Sequence, residues 1–289
     1  MPEYGEANRR HWDELVPIHV RSQFYDVASF KAGKTSLKRL ELEELGDVRG
    51  QSLLHLQCHF GLDTLSWARE GAIVTGVDFS EPAIETARVL AAECGIDAQF
   101  VQSDVYLLPE KLVGTFDIVF ASYGALCWLP ELKRWAKIVA HFLRPGGTFY
   151  IVEFHAMSGV FITDSDVTDL VVREPYFPID EPLAFEDDGS YADRDAKIEN
   201  RLTYSWPHPV SEIVTSLIEA GLRIEVLHEF PFTTKQWFPF MEQDSDGRWH
   251  LTKHDGSVPL LYSIKATNQL DSDTDVGWGF ADGRGLFSG

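Results

Sequence analysis

The chain has 289 residues, 44% of them hydrophobic and 24% charged, and 25 Lys and Arg against 45 Asp and Glu give a formal net charge of −20. Such acidity argues against nucleic-acid binding, which depends on cationic side chains neutralising phosphates, and leaves a neutral or cationic ligand as the better fit. No apolar run approaches the roughly 20 residues that cross a bilayer, and the polar start MPEYGEANRRHWDEL has no signal-like apolar core, so no membrane partner and a cytoplasmic location are expected. Three scattered cysteines, Cys58, Cys94 and Cys127, are too few for a disulfide framework or a zinc site, and no metal is expected.

In chain order, residues 1–50 read as an amphipathic helical segment: Trp12, Leu15 and Val16 recur at helical spacing, then Leu37, Leu40 and Leu45, with Phe24-Tyr25-Asp26 breaking the pattern between them. From residue 52 onward apolar strands alternate with amphipathic helices. Strands are predicted at 52–56, 73–78, 98–102, 116–121 and 148–154, and helices at 64–70, 82–94 and 132–143. Pro82 suits a first helical turn, where its missing N–H costs nothing. Gly95 ends that helix, and Gly146-Gly147 is expected to turn the chain into the fifth strand. The alternation implies an α/β fold with a mostly parallel sheet and helices on both faces.

Residues 156–206 lose the alternation and are rich in Asp, Glu, Pro and aromatics, which reads as a small cap insertion over the ligand edge of the sheet. A helix at 209–220 and strands at 223–228 and 259–266 complete the core, so 51–155 and 207–267 are taken together as one domain. The aromatic stretch 230–249 is expected to form a hairpin extension. The Gly- and Asp-rich residues 268–289 are expected to be a flexible tail.

The run Leu53–Gly61 is a buried strand followed by a turn, and Val74–Asp78 is a second strand ending in a carboxylate. This is how α/β proteins grip an adenosine ribose. A dinucleotide site needs Gly-x-Gly-x-x-Gly so that backbone can approach a pyrophosphate, yet Gln57 and His59 stand where two of those glycines belong. An adenosine ligand without phosphates fits better, and S-adenosyl-L-methionine is the natural candidate.

With these motifs in order, followed by Ser103-Asp104-Val105, Phe116-Asp117-Ile118-Val119 and Leu143-Arg144-Pro145-Gly146-Gly147, the chain resembles class I S-adenosylmethionine-dependent methyltransferases of the type 11/12 branch. The resemblance covers residues 50–155 well and 206–266 loosely. It implies a Rossmann-like doubly wound, mostly parallel seven-stranded sheet, and S-adenosyl-L-methionine as cofactor with S-adenosyl-L-homocysteine as product. It also implies roles for particular residues. Gly61 would let the methionine end approach the backbone, Asp78 would bind the ribose, and Phe79 would lie on the adenine. Asp104 and the Val105 N–H would meet the adenine edge, and Ser122 and Tyr123 would follow the fourth strand at the ligand edge. Tyr25 is the candidate lid residue over the methionine moiety. The departures are His55, where an acidic residue is usual, and Gln57 and His59, which either donate to the methionine carboxylate or narrow the pocket. Binding is the preferred reading.

Methyl transfer is an in-line displacement, so catalysis is expected mainly from proximity and orientation. If a base is used, His155 at the end of the fifth strand is the first candidate, because an unperturbed imidazole pKa of about 6.5 suits proton removal. Glu153 shares its strand face. Tyr123 and His208 are further candidates, the latter with a helix-capping role equally open. The acceptor is expected to be a small molecule methylated at O or N, chosen by the aromatic cap. An aromatic surface could also serve a homodimer. The competing readings are a non-catalytic S-adenosylmethionine-binding or interaction protein and, on the same general sheet, an NAD(P)-dependent oxidoreductase.

Overall fold

The structure, a computed structural model, describes residues 2–186 and 188–269. Nearly all of the expected tail, 268–289, lies outside the described residues. Seven strands form the main sheet: β1 Ser52–Leu56, β2 Ile73–Asp78, β3 Gln99–Gln102, β4 Phe116–Ser122, β5 Leu143–Phe154, β6 Leu222–Phe230 and β7 Leu261–Asn268. Their order across the sheet is β3-β2-β1-β4-β5-β7-β6. The first five strands pair in parallel, and β7 runs antiparallel to both β5 and β6. The order reverses between β1 and β4, and such a switch point opens a crevice at the carboxyl ends of the strands.

Helices cover both faces, as the near-continuous burial of β1, β2 and β4 requires. Leu54, Leu56, Val119, Phe149, Ile151 and Ile264 point to the face covered by α6 (Leu132–Phe142) and α7 (Val210–Glu219), where Trp135 and Leu217 are fully buried. Leu53, Val74, Ile118, Phe120, Tyr150 and Val152 face the other way, toward Trp67 of α4 (Leu62–Arg69). Leu40, Leu42 and Leu45 of α3 (Arg39–Leu45) pack on the same side. The long N-terminal helix α1 (Pro2–Arg21) and the short α2 (Val27–Lys31) lie against α5 (Glu81–Cys94), burying Val16, Val27 and Phe30 with Ala83, Ile84 and Ala87. Cys58 fills this cluster as a small buried side chain.

Helix α5 begins as its sequence indicates. The Ser80 side chain accepts from the Ala83 N–H, Pro82 sits in the first turn, and Gly95 closes the helix at φ 64°. One expectation is corrected at β5. Gly146-Gly147 does not precede the strand but lies within it, since β5 already pairs with β4 at Leu143↔Phe116, and the register shifts between Phe116 and Ile118. A Cβ on Gly147 would come 2.8 Å from the Arg144 carbonyl oxygen and 3.1 Å from that of Phe116, so the kinked strand needs glycine there.

Residues 156–206 carry little regular structure beyond a two-stranded ribbon, Leu183–Glu186 with Leu202–Ser205. The ribbon is tied to α1. Asn8 donates to the Tyr204 carbonyl and accepts from the Tyr204 N–H, both at 2.8 Å, while the Glu14 carboxylate accepts from the N–H groups of Glu199 and Asn200. The N-terminal helix and the insertion thus close over the sheet as one bonded layer. The stretch 230–249 adds a three-stranded antiparallel sheet, Phe232–Thr233, Trp249–Leu251 and Met241–Gln243, rather than a simple hairpin. No helix among the described residues is long and apolar enough to cross a membrane.

Candidate active site

The carboxyl ends of β1, β2, β4 and β5 open into a cavity of about 1920 Å³, roofed by α1, the insertion and the 230–249 extension. Every residue singled out above for cofactor or catalysis reaches its wall: Tyr25, Gln57, His59, Gly61, Asp78, Phe79, Asp104, Val105, Ser122, Tyr123, His155 and His208.

At the turn after β1, Gln57 and His59 replace the family's glycines in sequence but keep their backbone conformation, with φ of 56° and 50°. A left-handed backbone costs a side-chain-bearing residue about 1–2 kcal/mol, so something must hold each one. The His59 N–H donates to Asp78 at 2.8 Å, and the Gln57 amide donates to the Ala125 carbonyl at 2.7 Å. The Gln57 carbonyl oxygen is left buried with no partner among the described residues. Gly61, at φ 81°, is constrained by packing, because a Cβ would come 2.8 Å from the Phe100 ring and 3.0 Å from Ala87. Its glycine is thereby explained without a ligand.

Asp78 is buried, and its two oxygens accept from the His59 and Ser80 N–H groups. No cation pairs with it among the described residues. Burial therefore lifts its pKa from 3.8 to about 6 against those hydrogen bonds. Asp104 is exposed and caps the turn at Val105–Glu110 by accepting from the Tyr106 N–H, which leaves one carboxylate oxygen unused. Phe79 is half-buried beside Asp78.

Beneath the turn, His55 bonds to the Thr64 hydroxyl at 2.8 Å and lies 3.4 Å from that of Ser122. Burial drops its pKa to about 4, so a neutral ring stands where the resemblance implies an acidic residue. Ser122 in turn donates to Asp63 at 3.1 Å.

Above the turn lies an aromatic lid that sequence spacing did not reveal. His59 contacts His19 through a 2.9 Å ring-to-ring hydrogen bond, and His19 bonds to the Ser190 hydroxyl at 2.8 Å. Trp12, Tyr25 and Tyr191 pack around this pair, and the Tyr25 and Tyr191 hydroxyls are hydrogen-bonded. Burial lowers the pKa of His19 to about 3 and that of His59 well below its usual value, so both rings are neutral.

The candidate bases are engaged elsewhere. His155 accepts at Nδ1 from the Met157 N–H, so its proton is on Nε2, which donates to Glu229 at 2.8 Å. His208 donates to the Leu129 carbonyl at 2.7 Å, and its Nδ1 lies 3.2 Å from Glu212. The Tyr123 hydroxyl donates to Glu41 at 2.9 Å, and burial beside that carboxyl raises the phenol far above its normal pKa. Glu153 does not act beside His155. Its buried carboxylate accepts from the N–H groups of Gly124, Ala125, Leu126 and Phe154, pinning the loop after β4. The cavity wall also holds Lys235, whose one sequence signal was to be the sole charge in the stretch FPFTTKQWFPF.

Residues 53–147 match the model of a methyltransferase domain. A ubiquinone biosynthesis O-methyltransferase of Escherichia coli O7:K1 is 32% identical over 108 residues, which are 37% of this chain and 45% of that protein. The corresponding enzyme of Photorhabdus laumondii is 34% identical over 106 residues, 37% of this chain and 44% of that protein. The chain thus spans less than half the length of these curated relatives. Among solved structures, an S-adenosylmethionine-dependent methyltransferase from Mesorhizobium loti is similar at a TM-score of 0.54 and 19% identity, covering 82% of this chain and 100% of that one. A glycopeptide N-methyltransferase complexed with S-adenosylmethionine has a TM-score of 0.51 at 16% identity, covering 80% of this chain and 92% of that one. The fold is that of these solved S-adenosylmethionine-dependent methyltransferases, and residues 53–147 match a methyltransferase-domain model.

Two expected outcomes test this account of the turn and lid. Gly61→Ala should destabilise the protein by about 1–3 kcal/mol, read by denaturant unfolding, because the added Cβ meets Phe100 in a backbone that disfavours it. The second concerns acid. His19 is protonated more readily unfolded, at about 6.5, than folded, at about 3. Its contribution is therefore complete above about 6.5 and lost as pH falls toward the folded value. Asp78, Glu41 and Glu153, whose pKa values are raised in the fold, act with the opposite sign. Melting curves of wild type and His19→Gln across mildly acidic pH should isolate the histidine, with the variant losing less of its melting temperature on acidification.

Proposed function

We propose that this chain is an S-adenosyl-L-methionine-dependent methyltransferase that delivers a methyl group to an O or N atom of a small-molecule acceptor. The observation that carries the proposal is Asp78: a buried, unpaired carboxylate at the end of β2, beside a turn whose backbone keeps the glycine conformation without the glycines.

The donor set fits the cofactor. Asp78 has lone pairs left for the ribose hydroxyls, and those donors would stabilise a charge that burial now disfavours. The orphaned Gln57 carbonyl oxygen calls for a donor, which the methionine ammonium supplies. Phe79 offers a face to adenine, and the free oxygen of Asp104 and the Val105 N–H offer its edge an acceptor and a donor. When bound, S-adenosyl-L-methionine supplies an electrophilic methyl on a sulfonium.

The chain's own residues bind, orient and exclude water. Tyr25, Tyr191, His19 and Trp12 close the turn from above, and Glu153 fixes the loop that forms the opposite wall. His155, His208 and Tyr123 are held by hydrogen bonds, so we assign them to positioning the wall. Orientation of the reactants is the main source of rate in this reading. A cytoplasmic setting and a homodimer remain part of the proposal.

Calorimetric titration with S-adenosyl-L-homocysteine, with NADH as control, tests the reading. Binding of the first alone is expected, and binding of NADH alone would overturn it in favour of an oxidoreductase. Asp78→Ala should weaken S-adenosyl-L-homocysteine by about ten- to a hundredfold, the loss of hydrogen bonds to a charged acceptor. In the wild type, affinity should fall as pH drops through about 6, where Asp78 takes up a proton. Tight cofactor binding with no turnover of any phenol, amine or carboxylic acid would favour the non-catalytic reading.

A further inference from the structure

Lys235 lies in the cavity wall and has no part in the cofactor reading. Its ammonium lies over three aromatic rings, 3.9 Å from the centroid of Trp237, 4.5 Å from Tyr191 and 4.9 Å from Phe154. Ring faces attract a cation, but they accept no conventional hydrogen bond from its three N–H groups. No carboxylate lies within ion-pair distance and no oxygen within hydrogen-bond distance of the ammonium among the described residues.

Of the other cations in the wall, Arg9 pairs with Glu6 and Asp13, Lys34 with Asp26 and Lys111 with the Gln102 carbonyl, while Lys38 and Arg194 are exposed to solvent and lie over no aromatic cage among the described residues. Glu153 is electrostatically near Lys235, but four backbone N–H groups hold it and it cannot swing across. The Lys235 side chain is half-buried, and an ammonium partly withdrawn from water with donors unmet by protein is costly. Burial accordingly lowers the pKa of Lys235 to about 8.

Its position is informative too. Tyr191, one ring of the cage, hydrogen-bonds Tyr25 and stacks near His19, which bonds His59 of the turn. The cage therefore borders the turn where the methionine end of the cofactor belongs, and Phe154 extends it to the end of β5.

We propose that Lys235 is the acceptor-reading residue, and that the methyl acceptor is an aromatic molecule carrying an ionised oxygen, phenolate or carboxylate, which pairs with the Lys235 ammonium while its ring packs against Trp237, Tyr191 and Phe154. The inference rests on the methyltransferase reading and narrows its substrate class. An acceptor that arrives ionised needs no base, which agrees with a site in which His155, His208 and Tyr123 have no free proton acceptor to offer. Lys235 is here a positioning residue, keeping its own proton and stabilising charge already present on the ligand.

The test uses 4-nitrophenol, whose ionisation is visible in its absorbance. Wild-type protein in excess should raise the phenolate fraction saturably in a buffer slightly below the phenol's own pKa. Lys235→Met should abolish that shift or weaken binding about tenfold or more, and Lys235→Arg should retain it, which a merely structural role would not produce. Lys235→Gln replaces Met if the latter melts early. Each protein is titrated in parallel with S-adenosyl-L-homocysteine, which should bind all of them alike. Absence of any phenolate shift in wild type, or a shift undiminished in a folded Lys235→Met, overturns the inference. A Lys235-dependent shift in a protein that binds no S-adenosyl-L-homocysteine upholds the anion site and overturns the methyltransferase reading beneath it.

Discussion

The hydrogen bond from the His59 N–H to Asp78 is the constraint on which the site depends. It joins the turn after β1 to the end of β2, the two strand ends that frame the crevice at the switch point of the sheet. By fixing His59 in a left-handed conformation it sets where the His59 ring goes, and that ring is the floor on which the lid is built. The same bond keeps Asp78 buried and turned toward the cavity. A carboxylate there without a cation is unstable by itself, and its retention is the physical signature of a polar ligand that completes it.

From that bond outward the cavity is assembled in layers of different chemistry. The lower layer is a neutral hydrogen-bonded set, His55 with Thr64 and Ser122, and His55 stands where the resemblance implies an acidic residue. The upper layer is aromatic and includes two neutral histidines. Between them sits the pinned β4 loop, held by four N–H groups converging on Glu153. Among the described residues of the wall, the Gln57 side-chain oxygen, the Trp237 indole N–H and the Tyr262 hydroxyl have no hydrogen-bond partner, and the Lys235 ammonium meets only ring faces. A zwitterionic cofactor and an anionic acceptor would answer the Gln57 oxygen and the Lys235 ammonium.

The composition fits this picture. A chain with net charge −20 repels anions at long range, so an anionic acceptor has to be read locally. A partly desolvated cation in an aromatic cage does that, because the interaction strengthens where water is excluded. The bonds between α1 and the 183–206 ribbon hold that cage closed over the sheet, so that the N-terminal helix and the insertion act on the site together.

Much of the core was legible in the sequence. Strands β1 and β2 lie where the apolar runs end at turn residues, α5 begins at Ser80 and stops at Gly95, and Asp78 stands at a strand end, because these features follow from local periodicity and capping. The left-handed φ of Gln57 and His59 was not legible, since side chains at those positions argue against that conformation until a long-range bond to Asp78 enforces it. The packing of Gly61 on Phe100, a residue of β3 that only folding brings beside it, was not legible either. Nor were the hydrogen bonds of the candidate bases: His155 directly follows β5, its Nδ1 accepts from Met157 and its Nε2 donates to Glu229. Lys235, Tyr191 and His19 come from three distant segments. The sequence by itself determined the sheet, the turn after β1 and the carboxylate that ends β2, because those depend on neighbours within a strand–turn–helix unit. Only the tertiary structure decided the lid, the cage and which polar groups remain unpartnered, because satisfaction of a hydrogen bond is a property of what else the fold brings within reach.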